Sequence, residues 1–438
     1  MNKIKMLSFV DIVDSNTFDA SDYQFWYFWN GNYYEYDYKW YIQMLDGDDW
    51  VNGSKGQDEI HGGIGNDHLL GWYGNDVIYG EADNDYISGE WGDDTVYGGL
   101  GDDTLEDWTG YNSFFGDGGN DTIEGGAHED YLFGGDDNDE LRGDDETTPY
   151  NGADQLYGEA GDDKLFGGGS NDELNGGEGA DILVGGEGTD TAWYGTSKAG
   201  VEVDLSKGTG SKGDAEGDIL FEVENLVGSG HMDILTGDFR ANHLRGIAGN
   251  DGLFGLEGND TLVGGSGLDT LRGGDDEDEL HGNDDNDLVS GQAGFDALFG
   301  DAGADELFGG EGNDDLYGGV GNDTLTGGAD VDQLWGEDGA DVFKFHTKDA
   351  YIGNMFYDRV EDFEVGIDKV DLSEFDIALT IPETPLGKPG EVTFEHRFDN
   401  DEWLTVILID SFGLGTPADL IEVRYASGGP LSASDVLV

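Results

Sequence analysis

The sequence predicts an all-β protein: two tandem parallel β-rolls, solenoids of short stacked strands, followed by a small β-rich C-terminal domain. Three observations carry that prediction. An aspartate recurs every nine residues, as at Asp67 and Asp76 in "GGIGNDHLLGWYGNDVIYG" (Gly62–Gly80). An apolar residue stands two positions after nearly every such aspartate, as Leu69, Ile78, Ile87, Val96 and Leu105 do. Five of the six prolines (Pro382, Pro385, Pro389, Pro417 and Pro430) lie beyond the last repeat, and the sixth, Pro149, sits in an insertion. Proline lacks the ladder donor and is kept out of paired strands, so its distribution outlines a sheet-like array.

Composition narrows the class further. At 438 residues, with 36% hydrophobic residues and a mean hydropathy of −0.50, the chain has few side chains for a broad core, and an elongated repeat architecture fits better. A formal net charge of −79 repels nucleic acid and anionic membranes, which leaves cations as the expected partner. Such charge also opposes collapse. A permanently disordered tail, however, has no reason to place an apolar residue at one fixed offset in unit after unit, so the expectation is disorder that ends when metal binds. With no cysteine, neither disulfides nor a thiolate zinc site can hold the chain. The start "MNKIKMLSFVDIVDS" is cut by Asp11 and Asp14 and does not read as a cleavable signal peptide. No segment approaches the roughly 20 apolar residues of a membrane span.

Residues 1–46 read as an aromatic N-terminal cap. From Tyr23 to Tyr41, twelve of nineteen residues are aromatic, and "NGN" at Asn30–Asn32 suggests a hairpin turn. A cap over the exposed first coil is what a solenoid needs; a carbohydrate-binding aromatic surface is the alternative.

Residues 47–193 read as the first roll. The marking positions are Asp49, Asp58, Asp67, Asp76, Asp85, Asp94, Asp103, Asp121, Asp130 and Asp139, with Asn112 filling one gap. After the insertion around Pro149 they resume at Asp154, Asp163, Asp172, Asp181 and Asp190. Residues 194–230 interrupt the period. The alternating stretches "VEVDL" (Val201–Leu205) and "ILFEVENL" (Ile219–Leu226) flank a glycine-rich turn, which suggests a strand pair or a widened coil. Residues 231–345 read as the second roll, marked by Asp233, Asn242, Asp251, Asp260, Asp269, Asp278, Asp287, Asp296, Asp305, Asp314, Asp323, Asp332 and Asp341 without a missed step. Residues 346–438 lose the period and carry alternating runs such as "LTVILID" (Leu404–Asp410), the sign of a small β-rich domain.

The residue types suit one chemistry. Calcium takes 6–8 hard oxygen ligands and accepts carboxylates and backbone carbonyls alike. Glycine tolerates positive φ and lets a turn aim its carbonyls at an ion, while aspartate adds charge. The unit reads Gly-Gly-x-Gly-x-Asp-x-U-x with U apolar, and in this the array resembles the RTX calcium-binding repeats. Six residues of a unit make a turn and three a short strand, so two units complete a coil and coils stack about 4.8 Å apart. The resemblance implies ions held between stacked turns, with Asp67 paired to Asp85 and Asp76 to Asp94. On the order of 20 such sites would offset roughly 40 negative charges. The 27 marking aspartates are the expected calcium ligands, whereas Asn112 and Asn242 lack the charge. Turns in which Asp83, His128, Asp137, Ser170, Arg240, Asp276, Asp285 or Asp330 replaces the third glycine are expected to be weaker.

The residue after each apolar position should face outward. One face then reads His61, Tyr79, Tyr97, Phe115 and Phe133, the other Leu70, Ser88, Glu106, Glu124 and Arg142; Phe299, Tyr317 and Trp335 repeat the aromatic face in the second array. Such a ladder is explained by packing between rungs, or by binding of a polysaccharide or a cell surface.

Segments Gly339–His346 ("GADVFKFH"), Asp358–Asp376 and the ending "LSASDVLV" resemble the C-terminal region of serralysin-type secreted metalloproteases. That resemblance implies export by a type I secretion apparatus, with the chain crossing unfolded and folding outside in millimolar calcium. No catalytic counterpart accompanies it: the eight histidines form no His-Glu-x-x-His, and no Gly-x-Ser-x-Gly elbow occurs. The expected protein is secreted, extracellular, calcium-binding and non-enzymatic; the alternative is an adhesin or glycan-binding protein using the aromatic N-terminus and the aromatic roll face.

Overall fold

The computed structural model describes residues 8–11, 17–19, 26–29, 32–35, 40–44, 46–144, 151–346, 358–373, 391–399, 402–410, 419–425, 431 and 433–437. The described residues are almost entirely short β-strands and turns; the helical elements described in full are single 3-10 turns, Gly213–Ala215 and Ala433–Asp435. None is long and apolar enough to cross a membrane.

Each nine-residue unit gives one turn and one strand, and strands two units apart stack in parallel. Glu59–Ile64 pairs with Val77–Ala82, aligning Ile60 with Ile78, while His68–Tyr73 pairs with Tyr86–Trp91, aligning Leu69 with Ile87. The 18-residue register follows from the period: a shift of one residue would turn every apolar side chain outward. These side chains fill the space between the two strand rows. Ile60, Leu69, Ile78, Ile87, Val96 and Leu105 are fully buried, as are Leu244, Leu253, Leu262 and Leu271 in the second array.

The chain divides into two compact units. The first comprises Met1–Ser197 and Lys207–Asn225, the second Lys198–Ser206 and Leu226–Val438. In the first, Trp40–Gln43 stacks in parallel on Glu59–Ile64 and on Ser8–Asp11, and Thr17–Asp19 stacks on Trp50–Asn52. Trp26–Trp29 pairs antiparallel with Asn32–Glu35; Asn30 and Gly31, read as the hairpin turn, lie outside the described residues, as do Tyr23, Phe25, Tyr36 and Tyr38. The insertion around Pro149 also lies outside them, yet the register survives it, with Tyr131–Asp136 stacked on Gln155–Ala160.

Residues 194–230 differ from a simple strand pair. Within the first unit, Ile219–Phe221 stacks in parallel on Ile182–Glu187 and meets Thr209–Ser211 antiparallel. Within the second, Glu202–Asp204 stacks in parallel on Ile234–Thr236. Each alternating stretch thus joins a parallel strand row within its own unit. The second unit also keeps coiling past residue 345: Asp358–Val360 stacks on Gln333–Gly339, and Lys369–Asp371 on Val342–Lys344. Glu391–Asp399, Glu402–Asp410 and Asp419–Tyr425 then form an antiparallel sheet whose last strand joins Asp358–Val360.

Candidate metal centre

Every regular turn repeats one arrangement, which Asp67 illustrates. Its Oδ1 accepts the backbone N–H of Asp49, 2.8 Å away and one coil earlier. Its Oδ2 is buried and has no donor. A β-carbon on Gly62 would lie 2.4 Å from that Oδ2 and 2.9 Å from the carbonyl oxygen of Gly80. Glycine therefore keeps open a space bordered by a carboxylate oxygen and a carbonyl oxygen, both acceptors.

Twenty-four of the 27 marking aspartates have such a donorless, buried Oδ2, from Asp67 through Asp190 and from Asp251 through Asp341. Leaving an anionic oxygen buried among acceptors costs several kcal/mol unless a proton or a cation joins it. Burial pushes the carboxyl of Asp67 up to about 6, Asp85 to about 8 and Asp130 to about 9, against the partial relief of the hydrogen bond from the preceding coil. The donor set is hard oxygen throughout, the chemistry of calcium. Among the described residues no three His, Asp or Glu side chains converge on one point; carbonyls would have to complete each coordination shell, as the glycine-rich turns allow. The residues fit the ion.

The remaining three aspartates stand apart. Ser54 N–H donates to Asp58 Oδ2 at 2.7 Å. Ser229 donates its N–H to Asp233 Oδ2 at 2.6 Å and its hydroxyl to Oδ1 at 2.9 Å. Asp49, at the start of the first array, is buried and contributes its N–H to Asp67. The two asparagines also differ from each other. Asn242 turns Oδ1 into the glycine cradle, 2.2 Å from where a β-carbon on Gly237 would sit, whereas Asn112 donates its amide to the Gly125 carbonyl at 3.2 Å.

Sequence periodicity misses several residues that play the same part. Asp218 accepts the N–H of Asp181, Glu224 that of Asp190, Asp358 that of Asp332 and Asp368 that of Asp341. Longer connections throw them out of phase, but each is still an acid two residues before a buried Leu or Val, a local signal that needs no period. Asp218 Oδ2 accepts the hydroxyl of the fully buried Tyr194 at 2.9 Å, so a protein donor closes that coil.

Of the eight residues replacing the third glycine, seven hold φ between 74° and 87°, and Arg240 does not. The left-handed turn is thus retained where glycine is lost, mostly by aspartate, which tolerates this region better than other residues.

The outward aromatic residues stack ring on ring. His61–Tyr79 is 4.6 Å between centroids, and Tyr79–Tyr97, Tyr97–Phe115 and Phe115–Phe133 are each 4.9 Å. The ladder continues across the insertion to Tyr157, and a second one runs His281–Phe299–Tyr317–Trp335. Ring faces turned to each other are not free to stack on a sugar.

No curated protein matches the chain. Among solved structures, a subunit of the Azotobacter vinelandii mannuronan C5-epimerase is similar at 25% identity, covering 37% of this chain and 78% of that one with a TM-score of 0.26. An extracellular lipase of Serratia marcescens is similar at 16% identity, over 75% of this chain and 40% of that one, with a TM-score of 0.13. The model of the RTX calcium-binding nonapeptide repeat matches residues 45–72, 73–105, 110–145 and 150–192, and from 227 to 343 in overlapping copies. These matches cover more than half of the chain and coincide with the glycine cradles and their buried carboxylates, and so the chain belongs to the family of RTX calcium-binding nonapeptide-repeat proteins.

Proposed function

We propose that this is a secreted protein whose two arrays fold on binding calcium outside the cell, after export by a type I secretion apparatus, and that its role is structural and not catalytic. The observation that carries the reading is the set of 24 buried, donorless aspartate oxygens, each beside a glycine held open. Calcium, when bound, supplies the charge that these carboxylates lack. The chain's own residues do the rest. The Oδ1 atoms fasten each coil to its neighbour, the glycines leave room beside Oδ2, and the apolar positions bury a narrow core. Without a counter-ion at neutral pH the carboxylates repel one another along each row, which favours the open chain suited to export.

In this reading residues 47–193 and 231–345 supply the ion-binding rolls, the marking aspartates are the ligands, residues 1–46 cap the first coil, and residues 346–438 carry the export signal. Circular dichroism of the full chain tests it: disorder in chelator should give way to β structure as calcium is added. A chain already folded in chelator at neutral pH would overturn it.

A second reading, a glycan-binding adhesin, draws on a different surface from the stacked ladders. Tyr73 and Trp91 at strand ends and Trp108 and Tyr111 between strands are exposed in the first unit, with Tyr73 stacked on Trp91 at 4.5 Å. Retention on a panel of polysaccharides that is lost in Trp108→Ala would support it; no retention on any would remove it.

A further inference from the structure

Asp107 and Asn112 depart from the repeat together. From Gly53 to Gly134 the residue five before each marking position is glycine at every step except 107, and the marking residue of that unit is the asparagine. An acid stands where glycine is the rule, and an amide stands where acid is the rule.

The two changes have complementary geometry. Asp107 is 6% exposed; its Oδ1 accepts the N–H of Trp108 at 2.6 Å, and its Oδ2 is buried with no donor. A β-carbon on Gly89 would lie 2.5 Å from Asp94 Oδ2 and 2.8 Å from Asp107 Oδ2. At the regular turn of Gly62 the second of these neighbours is the Gly80 carbonyl. Asp107 thus brings a second carboxylate into a space that elsewhere holds one carboxylate and a carbonyl, and Asp94 Oδ2 is likewise buried without a donor. At the next turn Asn112 keeps the regular link through Oδ1, which accepts the N–H of Asp94 at 3.0 Å, while Nδ2 donates to the Gly125 carbonyl at 3.2 Å. Gly125 stands to Asn112 as Gly80 stands to Asp67. The amide hydrogen occupies the gap where the other turns leave a bare oxygen.

We propose that this exchange moves one carboxylate by one turn: Asp94 and Asp107 together form a doubly acidic divalent-cation site, and the Asn112 turn is closed by its own amide and takes no ion. The inference rests on the reading of the marking aspartates as calcium ligands. Two carboxylates match the charge of one divalent ion, and calcium affinity rises with the number of charged ligands. The Asp94–Asp107 turn therefore holds its ion more tightly than its neighbours and is the first in its array to fill.

The test uses full-length, calcium-stripped protein titrated with calcium against a competing chelator, with bound ions counted by atomic absorption. The wild type should show one ion bound on the order of tenfold more tightly than the rest. Asp107→Gly should abolish that tight ion, and adding Asn112→Asp to Asp107→Gly, which clears the β-carbon from the Asn112 turn, should raise the total by one over Asp107→Gly alone. Both substitutions restore the repeat consensus, and circular dichroism in saturating calcium verifies that the rolls form. An affinity distribution unchanged by Asp107→Gly, or no added ion when Asn112→Asp is combined with Asp107→Gly, would overturn the proposal while leaving the calcium reading intact. Absence of calcium binding in every version would overturn that reading as well.

Discussion

A methyl group on a glycine facing Asp67 is the smallest change that reaches a proposed ion site. In Gly62→Ala the new β-carbon meets Asp67 Oδ2 at 2.4 Å and the Gly80 carbonyl at 2.9 Å, so the expected outcome is one bound calcium fewer. Gly230→Ala is the control, since nothing lies within 4 Å of its β-carbon, and calorimetric titration should find its stoichiometry unchanged. In the same assay Asp67→Ala should lose an ion, whereas Asn112→Ala should lose none and forfeit only the amide hydrogen bonds, about 1 kcal/mol each. Equal ion loss in Asp67→Ala and Asn112→Ala would refute the distinction. At this scale the sequence was readable wherever the period held. Asp358 and Asp368 escaped it because their links span 26 and 27 residues, and Asp107 escaped it because its acid lies outside the marking position.

Coils depend on both their apolar row and their turn backbone. Leu262 is fully buried between coils of the second unit. Leu262→Ala should cost about 2–5 kcal/mol, measured by denaturant unfolding in saturating calcium. The turns carry a different strain. Ile247 adopts φ 83°, a region in which a β-branched side chain is strongly disfavoured, so Ile247→Gly should stabilise the roll by about 1–2 kcal/mol. A lower unfolding midpoint for that variant would show that the Ile247 side chain outweighs the strain. The sidedness of the aromatic ladder was legible because side chains alternate along a strand. Its extension to Tyr157 was not, since the insertion hides the register that Phe133 and Tyr157 share in space. The partner of Val201–Leu205 was equally hidden: nothing local in that stretch tells that Glu202–Asp204 will join Ile234–Thr236.

Charge decides the behaviour of the whole molecule. Burial raises the folded-state carboxyls from the ordinary 3.8 to about 6 at Asp121, 7 at Asp103, 8 at Asp139 and 9 at Asp130. A raised folded value means that the calcium-free fold favours the protonated group. That contribution is fully present below the unfolded value near 3.8 and is lost as pH climbs through 6 to 9. In chelator, β structure measured by circular dichroism should therefore form at pH 4 and disappear across pH 6–9. In saturating calcium the signal should stay level over the upper window. Loss of β structure on acidification in chelator would contradict the burial of these groups.

The link between coils has a direction. Each marking Oδ1 reaches back to an amide earlier in the chain, as Asp67 reaches Asp49, Asp85 reaches Asp67 and Asp103 reaches Asp85. A coil nearer the C-terminus thus carries the acceptor, and its N-terminal neighbour supplies the donor. A coil already folded on the C-terminal side therefore presents a finished docking edge to the coil before it. An array that grows from its C-terminal end thus adds each coil to a row of acceptors already in place, whereas growth from the other end must bring the acceptors with each new coil.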